Sequence, residues 1–169
     1  MRTLPFLAAS ILTGLVMAGP AMAEVQVTFV NPRGFTDAGL YRAGPVDENA
    51  PALTGLRRIF ERGGQRLPPG QTLKIEVLDV DLAGFFPPWH LTSPPTRVME
   101  PTTWPRITLR YTLTQDGRVI GSGDAVLTDM TYLRRPAVTR STDPLRFEKP
   151  MVADWFADRF GVTQRLTLQ

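Results

Sequence analysis

The sequence predicts an α+β domain: a two-layer sandwich in which a four-stranded, mainly antiparallel sheet carries two helices on one face, in the order β-α-β-β-β-α. Three observations carry this. Residues 104–114 alternate, with Ile107, Leu109, Tyr111 and Leu113 on one face and Arg106, Thr108, Arg110, Thr112 and Thr114 on the other, the pattern of a sheet covered on one side only. Asp116-Gly117 then joins that strand to the next as a hairpin turn. Finally, apolar residues over 50–63 and 150–160 recur at spacings of three and four, as on helices that bury one stripe.

The elements follow in order. Val25, Val27 and Phe29 give the first strand its apolar face, and Asn31-Pro32 ends it. Residues 31–51, rich in glycine and proline, read as loop. The first helix, about 50–63, turns Leu53, Leu56 and Phe60 inward and Arg57, Arg58, Glu61 and Arg62 outward, with Gly63-Gly64 as its stop. The second strand, 72–83, starts with Leu73, Ile75 and Val77 on one face. Its parity then switches, so that Leu78, Val80 and Leu82 are apolar and Asp79 and Asp81 fall where core residues began. A one-residue slip exchanges the faces of a strand. A β-bulge near Val77-Leu78 restores one core face; the alternative is a strand end buried on both faces, with the aspartates in a polar pocket. The loop 84–103 holds five prolines and Phe85, Phe86, Trp89 and the chain's only histidine, His90; loops of that length inside a domain are uncommon. The fourth strand runs about 118–129, weakened by Gly121 and Gly123. Asp143-Pro144 opens an irregular turn over 144–148. Pro150 would break a helix interior, so the last helix is expected at about 150–160, ending at Gly161.

Residues 1–23 read as a leader rather than as part of the fold. Met1-Arg2 is positive, Leu4–Met17 is an uncharged apolar run, and Ala21-Met22-Ala23 fits an A-x-A cleavage site. The expectation is a Sec-type signal peptide cut after Ala23, a periplasmic or secreted protein, and one domain over 24–169. The apolar run is too short to span a bilayer, which needs about 20 residues, so no membrane span is expected. Cysteine is absent, which excludes disulfides, cysteine zinc sites and a lipid anchor on a lipobox cysteine. The leader contains Arg2 and no acid, so its removal lowers the formal charge from +3 to +2. The high isoelectric point reflects 17 arginines against 2 lysines rather than a large net charge. Nucleic-acid binding is therefore not expected.

Several blocks resemble a family of exported bacterial proteins, domain of unknown function 3016. They are Val27-Thr28-Phe29-Val30-Asn31-Pro32, Phe35-Thr36-Asp37, Leu67-Pro68-Pro69-Gly70-Gln71, Asp79-Val80-Asp81-Leu82-Ala83-Gly84, Trp104-Pro105-Arg106-Ile107, Asp129-Met130-Thr131-Tyr132-Leu133 and Asp143–Lys149. The resemblance spans nearly all of 24–169. It implies an exported protein and brings no known activity, cofactor or site residue with it. Pro150 departs from the family pattern.

No catalytic constellation stands out. Beyond the leader the serines are Ser93, Ser122 and Ser141, and Gly121-Ser122-Gly123 is not a nucleophile elbow. Asp79-x-Asp81-x-x-Gly84 begins like a calcium loop, but its fifth position is Ala83 and its twelfth, which needs a bidentate glutamate, is His90. Two ligand-binding regions are expected: the strand-end loop with Asp79, Asp81, Trp89 and His90, and a basic segment with Arg134, Arg135 and Arg140. From 134 to 149 that segment carries an excess of three positive charges, suited to an anionic envelope component or an envelope protein. The reading is a non-enzymatic binding or accessory module with no cofactor. The alternative is a small metal-dependent hydrolase built on Asp79 and Asp81.

Overall fold

The computed structural model describes residues 22–88 and 95–162; residues 1–21, where a leader is expected, and Trp89 and His90 lie outside the described residues. The element order is β1 (Glu24–Phe29), α1 (Pro51–Gly64), β2 (Gln71–Asp81), β3 (Arg106–Gln115), β4 (Arg118–Thr128), α2 (Pro136–Thr139) and α3 (Glu148–Phe160), with short 3₁₀ turns at Pro32–Gly34 and Tyr132–Arg134. The sheet order is β1-β2-β3-β4. β1 runs parallel to β2, with α1 as the crossover, and the other neighbours are antiparallel. The α+β sandwich expected from the sequence is the one observed.

One continuous core lies between sheet and helices. Leu73, Ile75, Val77, Val80, Ile107 and Leu109 from the sheet meet Leu53, Leu56 and Phe60 of α1 and Val152 and Phe156 of α3, all fully buried. The helix stripe works as the spacing predicts, because residues three and four apart share a face. Pro51 sits at the first position of α1 and Pro150 at the third of α3. The first four N–H groups of a helix have no intrahelical acceptor, so neither proline removes a bond. Asp143 caps the turn before α3, accepting Leu145 N–H at 2.8 Å and pairing with Lys149. Gly161, at φ 67°, closes α3 with the αL motif, Gly161 N–H donating to Ala157 O, and Val162 N–H reaches back to Phe156 O.

At the far end of α3, Trp155 and Phe160 stand edge-on to Tyr111 at ring distances of 5.8 and 5.7 Å. Opposite Tyr111 lies Gly123, whose missing side chain leaves room for the ring: an added Cβ would lie 3.2 Å from its hydroxyl. Gly64 ends α1 for a similar reason, since a Cβ there would lie 1.9 Å from Val25 Cγ2. The outer edge of β1 is covered by Arg57, which donates to Val27 O at 2.5 Å and stacks over Phe29. The hairpin turn places both Asp116 and Gly117 at positive φ, as the primed turns require.

The bulge is present. Pairing shifts between Val77 and Asp79 opposite Leu109 and Thr108, which makes Leu78 the extra residue. Val80 therefore returns to the core opposite Ile107, and Asp79 and Asp81 emerge on the uncovered face of the sheet.

Candidate functional site

The bulge aims two carboxylates out of the end of β2, and two loops close around them. The first follows β1. Asp37 N–H donates to Val80 O and Leu82 N–H donates to Asp37 O, so this loop continues the sheet past β1. Asp79 holds it: Thr36 N–H donates to Oδ1 and the Thr36 hydroxyl to Oδ2, both at 2.8 Å. The second loop folds back on the chain after β2, through paired bonds between Phe85 and Val98 and a bond from Gly84 N–H to Thr103 O.

Arg97 ties the two loops together. Its side chain is 8% exposed. Nη1 and Nη2 grip the Asp37 carboxylate at 3.2 and 3.0 Å, and the five N–H groups, one of them shared between two acceptors on Nη2, also reach the carbonyls of Gly39, Leu82, Ala83 and Gly84 at 2.7–3.0 Å. The planar fork of a guanidinium suits this many convergent acceptors. Gly84 is needed here: at φ 77° a Cβ would come within 2.5 Å of Val98 O.

Between the loops opens a cleft of about 290 Å³, lined by Asp37, Asp81, Phe85, Thr103, Trp104 and Arg106 among others. Asp81 lies across from Arg106 at 3.6 Å. Burial pushes the Asp81 carboxyl up, and the negative charges of Asp37 and Asp79 add to this against the opposing pull of Arg106. The blocks 35–37, 79–84 and 104–107 converge on this cleft. The family model described as "Protein of unknown function (DUF3016)" matches residues 23–158. The chain belongs to that family. Comparison with curated proteins and with solved structures finds no match.

Behind the cleft of this DUF3016 chain sits Glu148, 2% exposed at the start of α3. Its Oε1 accepts Ala83 N–H at 3.0 Å and its Oε2 has no partner among the described residues. Burial drives the Glu148 carboxyl up, more strongly than the Ala83 N–H and the charges of Arg97 and Arg146 pull it down. Beside it a smaller cluster of Tyr132, Phe147, Val138 and Ala83 supports the loop from below, and the Tyr132 hydroxyl donates to Glu100 O at 2.7 Å.

The structure distributes the sequence-predicted residues unevenly. Asp81 lines the cleft, while Asp79 is engaged by Thr36 beside it. Both Asp79 oxygens accept hydrogen bonds from Thr36, and both Asp37 oxygens from Arg97, so neither is a ready metal ligand. Among the described residues no group of three or more His, Asp or Glu could hold a metal ion. Arg134 and Arg140 are exposed and do not line the cleft. Arg135 pairs with Asp154 at 2.7 Å, and its Nε lies 2.7 Å from Asp129 Oδ2, a charge contact whose N–H is not aimed for a good hydrogen bond. The basic segment is therefore less free than its composition suggests. Sequence reasoning missed Asp37, Arg97 and Glu148. Arg97 sits in an aperiodic loop and Glu148 looks like an ordinary acid at a helix start, so no local pattern marks either one. Among the described residues no helix is long and apolar enough to cross a membrane.

Proposed function

We propose that this DUF3016 chain is exported, loses residues 1–23, and works in the cell envelope as a non-enzymatic binding module whose ligand enters the cleft between the two loops. One observation carries the reading: a nearly buried arginine with six hydrogen bonds ties Asp37 and Gly39 of one loop to residues 82–84 at the start of the other, beside an open cleft. Holding irregular backbone this firmly opposes chain entropy of about 1–2 kcal/mol per residue, and pre-organised walls lower the ordering cost of binding. The leader-like pattern of residues 1–23 supports export.

The test uses the full chain expressed with its own leader and a photo-crosslinking residue at Phe85, with Glu61 on the exposed side of α1 as the control position. Intact mass should show a mature chain beginning at Glu24 and a discrete adduct from Phe85 only. A retained leader removes the export half of the reading. Absent adducts, or equal adducts from Glu61, remove the binding half.

A further inference from the structure

We propose that the cleft binds a free α-amino acid, with Asp81 receiving its ammonium group and Arg106 its carboxylate. This rests on the binding-module reading and names its ligand class. Charge balance decides the class. Asp37 is neutralised by Arg97, which has no donor to spare for a ligand. Among the described residues the mouth then presents one carboxylate and one guanidinium, Asp81 and Arg106, on neighbouring strands. They stand 3.6 Å apart, beyond good hydrogen-bond distance, with side chains 30% and 49% exposed. A ligand with only a positive charge would face Arg106, and one with only a negative charge would face Asp81 with Asp79 behind it. A zwitterion meets both, exchanging a long ion pair for two charge-assisted hydrogen bonds.

The rest of the lining suits the same ligand. Phe85 and Trp104 give the lining an apolar part for a side chain beside the charged pair. The volume, about 290 Å³, falls at the lower end of the range for small-molecule sites, about 300–1,000 Å³, so the ligand is small. A divalent cation is disfavoured by the donors themselves, because calcium takes about 6–8 oxygens and only Asp81 of the three aspartates is not already hydrogen-bonded by Thr36 or Arg97.

The experiment titrates ¹⁵N-labelled chain, residues 24–169, with L-phenylalanine, L-leucine, L-lysine and L-glutamate, following amide shifts. The phenylalanine analogues L-phenylalaninamide and N-acetyl-L-phenylalanine each lack one of the two charges. At least one amino acid should give saturable shifts at Leu82, Phe85 and Thr103 at about millimolar concentration or below, and each single-charge analogue should bind about tenfold more weakly or worse than phenylalanine. Asp81→Asn and Arg106→Gln should each weaken binding by a similar factor, Arg106→Lys should retain part of it, and Thr112→Ala, on the same sheet face outside the cleft, should change nothing. Melting curves of every variant establish that it is folded. No saturable shift with any amino acid, analogues as tight as phenylalanine, or variants without effect would each overturn the proposal. A Phe85 crosslink without amino-acid binding sinks this inference and leaves the binding-module reading standing; failure of both experiments sinks both.

Discussion

Replacing Arg97 by methionine keeps the length of its stem and removes the guanidinium. Six hydrogen bonds vanish, and with them the partner of a carboxylate that is itself mostly covered: the Asp37 side chain is 21% exposed. The abandoned carbonyls of residues 39 and 82–84 can recruit water from the cleft, so they contribute little to the loss. The unpaired Asp37 charge dominates. Breaking one side of a buried ion pair costs about 3–5 kcal/mol, against a total stability of about 5–15 kcal/mol for a domain. For a chain of this size, at about 2–4 °C per kcal/mol, the melting temperature should fall by roughly 6–20 °C. Urea unfolding of the Arg97→Met, Asp37→Asn and double variants measures the loss and its origin. Once Arg97 is gone, Asp37→Asn should cost nothing or stabilise, giving a coupling of about 2 kcal/mol within the range seen for contacting residues. Amide exchange at Gly84, Phe85 and Val98 should quicken in Arg97→Met while that of Ile75 and Leu109, in the sheet core, falls only with global stability. A loss below about 1 kcal/mol, or two losses that simply add, would mean that the clamp does not hold the loops and that the rigid-cleft argument is wrong.

Two further outcomes follow from the same neighbourhood. Glu148 has a folded-state pKa above its unfolded value of 4.5, so its proton binds the native state more tightly; its contribution to stability is fully present below the unfolded pKa and is lost as pH rises through the raised folded value. Glu148→Gln mimics the protonated form, and should be more stable than wild type at pH 7 by about 1–3 kcal/mol, with the gap closing towards pH 4 in urea titrations; a gap that widens on acidification would reverse the assignment. Asp79→Ala removes both anchors of Thr36, and should cost about 1–2 kcal/mol at this partly exposed position, while EDTA leaves the wild-type melting curve unchanged; a metal-dependent gain in wild-type stability that disappears in Asp79→Ala would restore the aspartates as ligands.

Much in this fold that depends on near neighbours is written in the chain. The alternation of Ile107, Leu109 and Tyr111 reports a half-covered strand because side chains repeat every two residues. The shift of parity at Val77-Leu78 reports a bulge because only an inserted residue returns Val80 to the core. Asp116-Gly117 and Gly161 report a turn and a helix end because so few residues accept positive φ. The strand order, the parallel seating of β1 against β2, and the short α2 had no such signal. The cleft is more hidden still. Arg97 meets Asp37 across 60 residues and Glu148 meets Ala83 across 65, and no periodicity links positions so far apart. Composition counted Arg135 as a free positive charge, and only folding brought Asp129 and Asp154 to it. Local sequence fixes backbone period and turn geometry through short-range sterics, whereas the partner of a buried charge is chosen by which loops the packed core brings together.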